Sequence, residues 1–165
     1  MKMSGEETIA APRETVWAAL NDPDVLEACI PGCKSLEKRS DTELAATVSI
    51  GIGPVRANFD GEVELKNLQP PESYRLEGEG KGGVAGFASG GADVRLEEVP
   101  EGTLLTYDVD AKVGGKIAQV GARLIDSTAK KLAKKFFADF KARVEGDGKE
   151  GETDGQPDGG GAQAA

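Results

Sequence analysis

The chain has 165 residues, enough for one domain and too few for two, with 38% hydrophobic residues to build a core and only 5% aromatics to fill it. It contains no histidine, which removes the usual general base, the commonest zinc and haem ligand, and every Ser-His or Cys-His nucleophile pair. Its net charge of −9 argues against non-specific nucleic-acid binding.

No apolar run approaches the roughly 20 residues of a membrane-spanning helix. The opening "MKMSGEETIAAPRE" turns acidic at once and has no secretory h-region, so a cytoplasmic location is expected.

Met3 to Ile9 reads as a short strand. Ala11-Pro12-Arg13-Glu14 opens a helix whose buried face is Val16, Trp17 and Leu20, with Pro12 in the first turn, where its missing N–H costs nothing. Asn21-Asp22-Pro23 stops that helix and starts a second one carrying Val25, Leu26 and Ile30.

From Lys34 to Val113 the period changes to two. Leu44, Ala46, Val48 and Ile50 form one face, Val55, Ala57, Phe59, Val63 and Leu65 another, and Leu105, Tyr107, Val109, Ala111 and Val113 a third. Polar residues occupy the positions between, the pattern of antiparallel strands with one wet and one covered face. Gly51-Ile52-Gly53-Pro54, Pro70-Pro71 and Pro100-Glu101-Gly102 mark turns.

The last structured segment, Lys116 to Val144, reads as one helix of about 43 Å, long enough to cover such a sheet. At helical spacing, Ile117, Val120, Leu124, Thr128, Leu132, Phe136 and Phe140 line one side, with Gly121, Ala129 and Ala133 leaving it short of bulk. Gly146 suits the helix end, and the Gly- and acid-rich residues 146–165 are expected to be disordered. The architecture expected is α+β: a curved seven-stranded antiparallel sheet wrapped around a long C-terminal helix, with two short helices after the first strand.

The glycines facing that helix, Gly78, Gly80, Gly82, Gly83, Gly86, Gly90 and Gly91, admit two readings. They curl the sheet around the helix, or the curl together with the small side chains leaves an apolar hollow for a lipophilic ligand. The sequence alone does not separate them.

Cys29 and Cys33 in "CIPGC" have too few companion ligands for a structural zinc site, and a disulfide between them needs favourable geometry; buried thiols near a turn are the simpler account. Trp17 fits a core position better than a ligand stacker. "GEGKGG" neither follows a buried parallel strand nor opens a helix, so it is no phosphate loop.

Lys116 to Val144 holds eight bases against two acids. Lys130, Lys131, Lys134 and Lys135 are either a solvated helix face or a contact surface for anionic lipid headgroups or an acidic partner, which the acidic tail would mask by folding back.

Three long strings carry a resemblance. They are "VWAALNDPDVLEACIPGCKSLEK", "GIGPVRANFDGEVELKNLQPPESYRLEGEGKGGVAGFASGGADVRL" and "YDVDAKVGGKIAQVGARLIDSTAKKLAKKFFADF". Together they resemble the G-subunit family of carbon monoxide dehydrogenase, within the START-like, helix-grip superfamily of lipophilic-ligand binders. The resemblance covers nearly all of residues 4–144 and implies a START-like helix-grip domain over residues 1–145.

It further implies a non-enzymatic accessory to a molybdenum-containing hydroxylase of the carbon monoxide dehydrogenase type, recruited to the inner face of the cytoplasmic membrane. The implied ligand is an isoprenoid quinone of the menaquinone or ubiquinone type. No catalytic residue, metal site or covalent cofactor comes with it. Many members carry a C-terminal extension that engages the membrane; here the tail is acidic and has no apolar anchor.

From side-chain direction, Phe59, Phe87, Tyr107, Val120, Leu124, Leu132 and Phe136 are expected to line the hollow, and Gly114 and Gly115 to hinge the helix. A docking adaptor with a filled core is the rival reading. A small cyclase or hydrolase using Asp93, Asp108, Asp110 and Tyr107 is the third, although the alternation puts the aspartates near water.

Overall fold

Strict alternation of apolar and polar residues folds here into seven antiparallel strands. The computed structural model describes residues 1–153, with side chains through Gly146. In chain order these are β1 (Lys2–Ile9), β2 (Cys33–Lys38), β3 (Glu43–Ile52), β4 (Val55–Gln69), β5 (Ser73–Lys81), β6 (Phe87–Val99) and β7 (Gly102–Gly114). Strands β2 to β7 form a meander, and β1 closes on β7 to give the order β1-β7-β6-β5-β4-β3-β2.

Between β1 and β2 lie helices α1 (Arg13–Leu20) and α2 (Pro23–Cys29). Pro12 is the residue before the first turn of α1, and Pro23 opens α2 after Asp22, whose carboxylate accepts the Asp24 N–H at 2.9 Å. That bond satisfies one of the donors a helix start leaves orphaned. Gly32, at φ +78°, turns the chain into β2 with its α-carbon against the Ser49 carbonyl, where a side chain has no room.

The C-terminal helix differs from its expected bounds at both ends. Gly115 at φ +79° leads into a 3₁₀ turn at Lys116–Val120, and Gly121 at φ +102° ends it. Helix α3 therefore starts at Ala122, since two left-handed glycines do not continue an α-helix. It runs through Gly146 to Thr153, so that glycine is not its end; the rest of the predicted tail, 154–165, lies outside the described residues.

The buried side chains form two separate clusters at opposite ends of the sheet. The larger joins Ile9, Leu65, Tyr74, Val94, Leu96 and Leu105 of the sheet to Val16 and Leu20 of α1, Val25 and Cys29 of α2, and Phe137, Phe140 and Val144 of α3. Thr103 is buried there without loss, because its hydroxyl donates to the Ala11 carbonyl at 2.8 Å. The smaller joins Phe59 to Ala85, in a 3₁₀ turn at Gly83–Ala85, and to Ile117, with Ile50, Val55, Ala57 and Val113 around them.

Candidate functional site

Between these two clusters the covered face of the sheet changes character. The cross-strand register aligns Ala46, Gly61, Gly80 and Ala88 in one row and Val63, Gly78, Gly90 and Ala111 in the next. Along its first half α3 carries Leu124, Ala129, Leu132 and Ala133. None of these residues is fully buried, and no residue of α3 before Phe137 is. These partly exposed apolar rows are the candidate floor of a hollow under the first half of the helix.

The glycines divide between the two readings left open by the sequence. A methyl group built on Gly78 stands 2.7 Å from the Glu62 carbonyl oxygen, and one on Gly90 would overlap that of Asp110. At these two the sheet bends so tightly that only glycine fits. On Gly61 and Gly80 the same group meets nothing nearer than 3.6 Å and 3.9 Å. Glycine there is not demanded by crowding, and its effect is to leave space.

The sequence-predicted lining residues are not all gathered. Phe59 is buried at the floor of the smaller cluster, and Val120 is half-buried in the 3₁₀ turn. Leu124 reaches across to the β3–β4 turn, where its methyl lies 2.8 Å from the place a Gly53 side chain would take. Tyr107 stacks on Phe137 with ring centroids 5.2 Å apart, and Phe136 meets Phe137 and Phe140 at 5.0 Å and 5.6 Å. Tyr107 and Phe136 thus pack at the edge of the main core.

Phe87 is a correction. It lies on the outer face, 51% exposed over Gly114, because the inward positions of β6 are Ala88, Gly90, Ala92, Val94 and Leu96. Gly114 and Gly115, the expected hinge, both have steric reasons to be glycine: the Phe87 ring covers the first, and the second abuts the Gly86 α-carbon.

Sequence reasoning missed Phe137 and Val144, which are buried, and the two rows of small residues across the sheet. The rows were detectable as Gly and Ala at alternating positions, but only the strand register brings them side by side.

The groups weighed for acid–base chemistry are divided between the two faces. Asp93, Asp108 and Asp110 are exposed on the outer face. Arg75 donates to Asp93 at 3.0 Å, Asp110 at 3.2 Å and Glu77 at 3.0 Å, and Ser4 donates to Asp108. Hydrogen bonds from Lys66 first, then Arg75, hold the Glu77 carboxyl below the usual range. Tyr107 is on the covered face, its phenol pushed up by desolvation and then by Glu7. They make no common site.

Cys29 and Cys33 are free thiols, both raised by burial, as structural thiols should be. Among the described residues no group of three metal-ligating side chains occurs. Trp17 packs edge-on against Tyr74 at 5.3 Å within the main core, so it is a core residue and does not line the hollow.

Lys130, Lys131 and Lys134 are exposed along α3, while Lys135 pairs with Asp139 at 2.7 Å. Depressions of about 720, 430 and 270 Å³ all lie on the outer face among Arg39, Glu62, Arg75, Asp93 and Lys81. Their charged linings do not suit a lipophilic guest.

A curved seven-stranded antiparallel sheet gripping a long C-terminal helix, with two short helices after the first strand, defines a helix-grip protein. Solved structures agree. A conserved protein from Geobacillus kaustophilus is 34% identical over 88% of this chain and 95% of its own, with a TM-score of 0.82. A protein from Thermus thermophilus is 16% identical, with a TM-score of 0.67 over 88% and 98% of the two chains. The Zhui aromatase/cyclase from a Streptomyces species is 12% identical, with a TM-score of 0.60 over 88% and 93%, and bears on the fold alone. The model of the CoxG family, the G-subunit family of carbon monoxide dehydrogenase, matches residues 5–145. The chain belongs to that family. No curated protein matches it.

Proposed function

We propose that this chain is a non-enzymatic carrier that holds an isoprenoid quinone, of the menaquinone or ubiquinone type, under the first half of α3. It would serve a molybdenum-containing hydroxylase of the carbon monoxide dehydrogenase type and link that enzyme to the inner face of the cytoplasmic membrane. The observation that carries the reading is the stretch between the two buried clusters, where glycine and alanine occupy the inward positions of the sheet and no residue of α3 before Phe137 is fully buried. Family membership supports the accessory role.

Leu124, Leu132 and Val63 would contact the isoprenoid chain, with Phe136 and Tyr107 at its inner end. Lipophilic pockets commonly work this way, with apolar walls and few polar groups. Gly114 and Gly115 remain our proposed hinge for ligand entry, and Lys130, Lys131 and Lys134 our proposed contact for an anionic partner. Among the described residues no helix is long and apolar enough to cross a membrane, which is compatible with peripheral contact.

A docking adaptor with a filled interior is the second reading, favoured by the dense packing around Phe140. One experiment separates the two. The purified chain is extracted for lipids, then titrated with a short-chain menaquinone under native mass spectrometry. A co-purified quinone or a saturable one-to-one adduct is expected. An empty extract with no adduct would sink the carrier and leave the adaptor.

A further inference from the structure

One end of the molecule stands apart in charge from the rest. It is built from the β3–β4 turn, the β5–β6 connection and the segment leading from β7 into α3. Residues 50–57, 80–90 and 111–125 contain Arg56, Lys81, Lys112, Lys116 and Arg123 and not one acidic residue, in a chain whose net charge is −9. All five bases are exposed. Among the described residues only Lys81 of the five has an ion-pair partner, Glu79 at 3.8 Å. The acids bordering this end are Asp60, opposite Lys81 in the sheet, Glu79 and Asp110 on the strands that lead to it, and Asp126 on α3.

The same end carries two of the three exposed large apolar side chains among the described residues. Val84 is 95% exposed and Phe87 51%; the third, Leu68, is at the opposite end of the sheet. A lone exposed valine is ordinary on a soluble protein. This one is held out by the backbone beneath it. Ala85 is buried directly behind it, and Gly83 and Gly86 take φ +61° and +116° to make the turn. Gly86 lies so close to the Gly114 carbonyl that the connection is fixed against the β7–α3 segment.

A rigid apolar crest ringed by mostly unpaired cations has one natural complement. Anionic phospholipid offers phosphates to the bases and an acyl boundary to Val84 and Phe87. We propose that this end is a docking surface for an anionic lipid bilayer, with Val84 and Phe87 entering the headgroup boundary. This goes beyond the carrier reading by naming the face that meets the membrane, and rests on it only for purpose. The two 3₁₀ turns that close the hollow over Phe59 would then lie against the lipids a quinone comes from.

The test is flotation of the full chain with mixed phosphatidylglycerol–phosphatidylcholine vesicles and with pure phosphatidylcholine vesicles. The wild type is expected to float with the mixed vesicles only. Val84→Glu with Phe87→Glu, and separately Lys81→Glu with Lys116→Glu, should weaken binding at least about tenfold. Lys38→Glu with Arg95→Glu should change it less than about threefold, because those exposed bases lie at the opposite end of the sheet.

Circular dichroism checks folding, with Val84→Ser as the milder variant. Failure of the wild type to float overturns the proposal, as does unchanged flotation of the crest variants. It also fails if those variants keep vesicle binding and lose only capture of the dehydrogenase, which would make the crest a protein contact. The carrier is judged separately, by the menaquinone adduct in detergent solution, which the crest variants should retain.

Discussion

The two halves of α3 belong to one continuous helix, yet they do opposite things. From Phe137 to Val144 it is bound into the main core: Phe137, Phe140 and Val144 are buried, and the Phe136, Phe137 and Tyr107 rings meet in sequence. Polar contacts at the margin fix that end to β1. Glu145 accepts the Ala10 N–H at 2.9 Å, and Lys141 lies 3.6 Å from Glu7. From Ala122 to Ala133 nothing is fully buried, and the facing sheet offers glycine and alanine. A helix buried at one end and only partly buried at the other suits a carrier that holds its ligand under the first half. In the proposed carrier, core and cavity would each have their own half.

The widest test of that contrast is truncation at matched positions. Phe140→Ala should cost about 3–5 kcal/mol in urea unfolding, since the cavity it leaves is sealed. Leu124→Ala, at a half-exposed position, should cost less than about 1.5 kcal/mol. Equal losses would mean that the first half is packed as tightly as the second.

Filling the hollow sharpens the comparison. Ala129→Leu adds volume at a partly exposed position, so stability should move by less than about 1 kcal/mol; overpacking a closed core costs about 1–3 kcal/mol. The same variant should weaken the menaquinone adduct at least about tenfold if the added methyls take space the ligand needs. Native stability with undiminished adduct would place the ligand elsewhere.

The smallest effect lies on the outer face, away from the helix. Glu77 has its carboxyl held below the usual range by Lys66 and Arg75, so its contribution is present above the unfolded-state pKa of about 4.3 and lost as pH falls through the lower folded value. Glu77→Gln should therefore be less stable than wild type at neutral pH, with the gap closing in acid. A gap that widens in acid would reverse the sign and refute the assignment. The substitution should leave the behaviour of α3 unchanged.

Much of this was legible from residue order. Alternation in Val55–Leu65 and Leu105–Val113 fixed which side chains turn inward, because a strand allows only two faces. The helix stripe was less secure. Read at a spacing of four, Leu124 to Phe140 seems one line, but four residues advance about 40° past a full turn, so the line drifts about 160° by Phe140. Phe137, Phe140 and Val144, at spacings of three and four, are the stripe that the main core buries. Phe87 was misjudged for a related reason: the turn before β6 sets its phase, and one residue's shift exchanges the two faces.

Residue order alone settled the succession of strands and helices, the single covered face of the sheet and the lack of histidine chemistry. These follow from local periodicity and composition. Folding in three dimensions was needed to show that Gly61 and Gly80 leave space while Gly78 and Gly90 make bends, and that α3 starts at Ala122. It also gathered five cations and an apolar crest from three distant segments at one end. The physical reason is that crowding, sheet register and surface charge depend on neighbours far apart in the chain, which local periodicity does not encode.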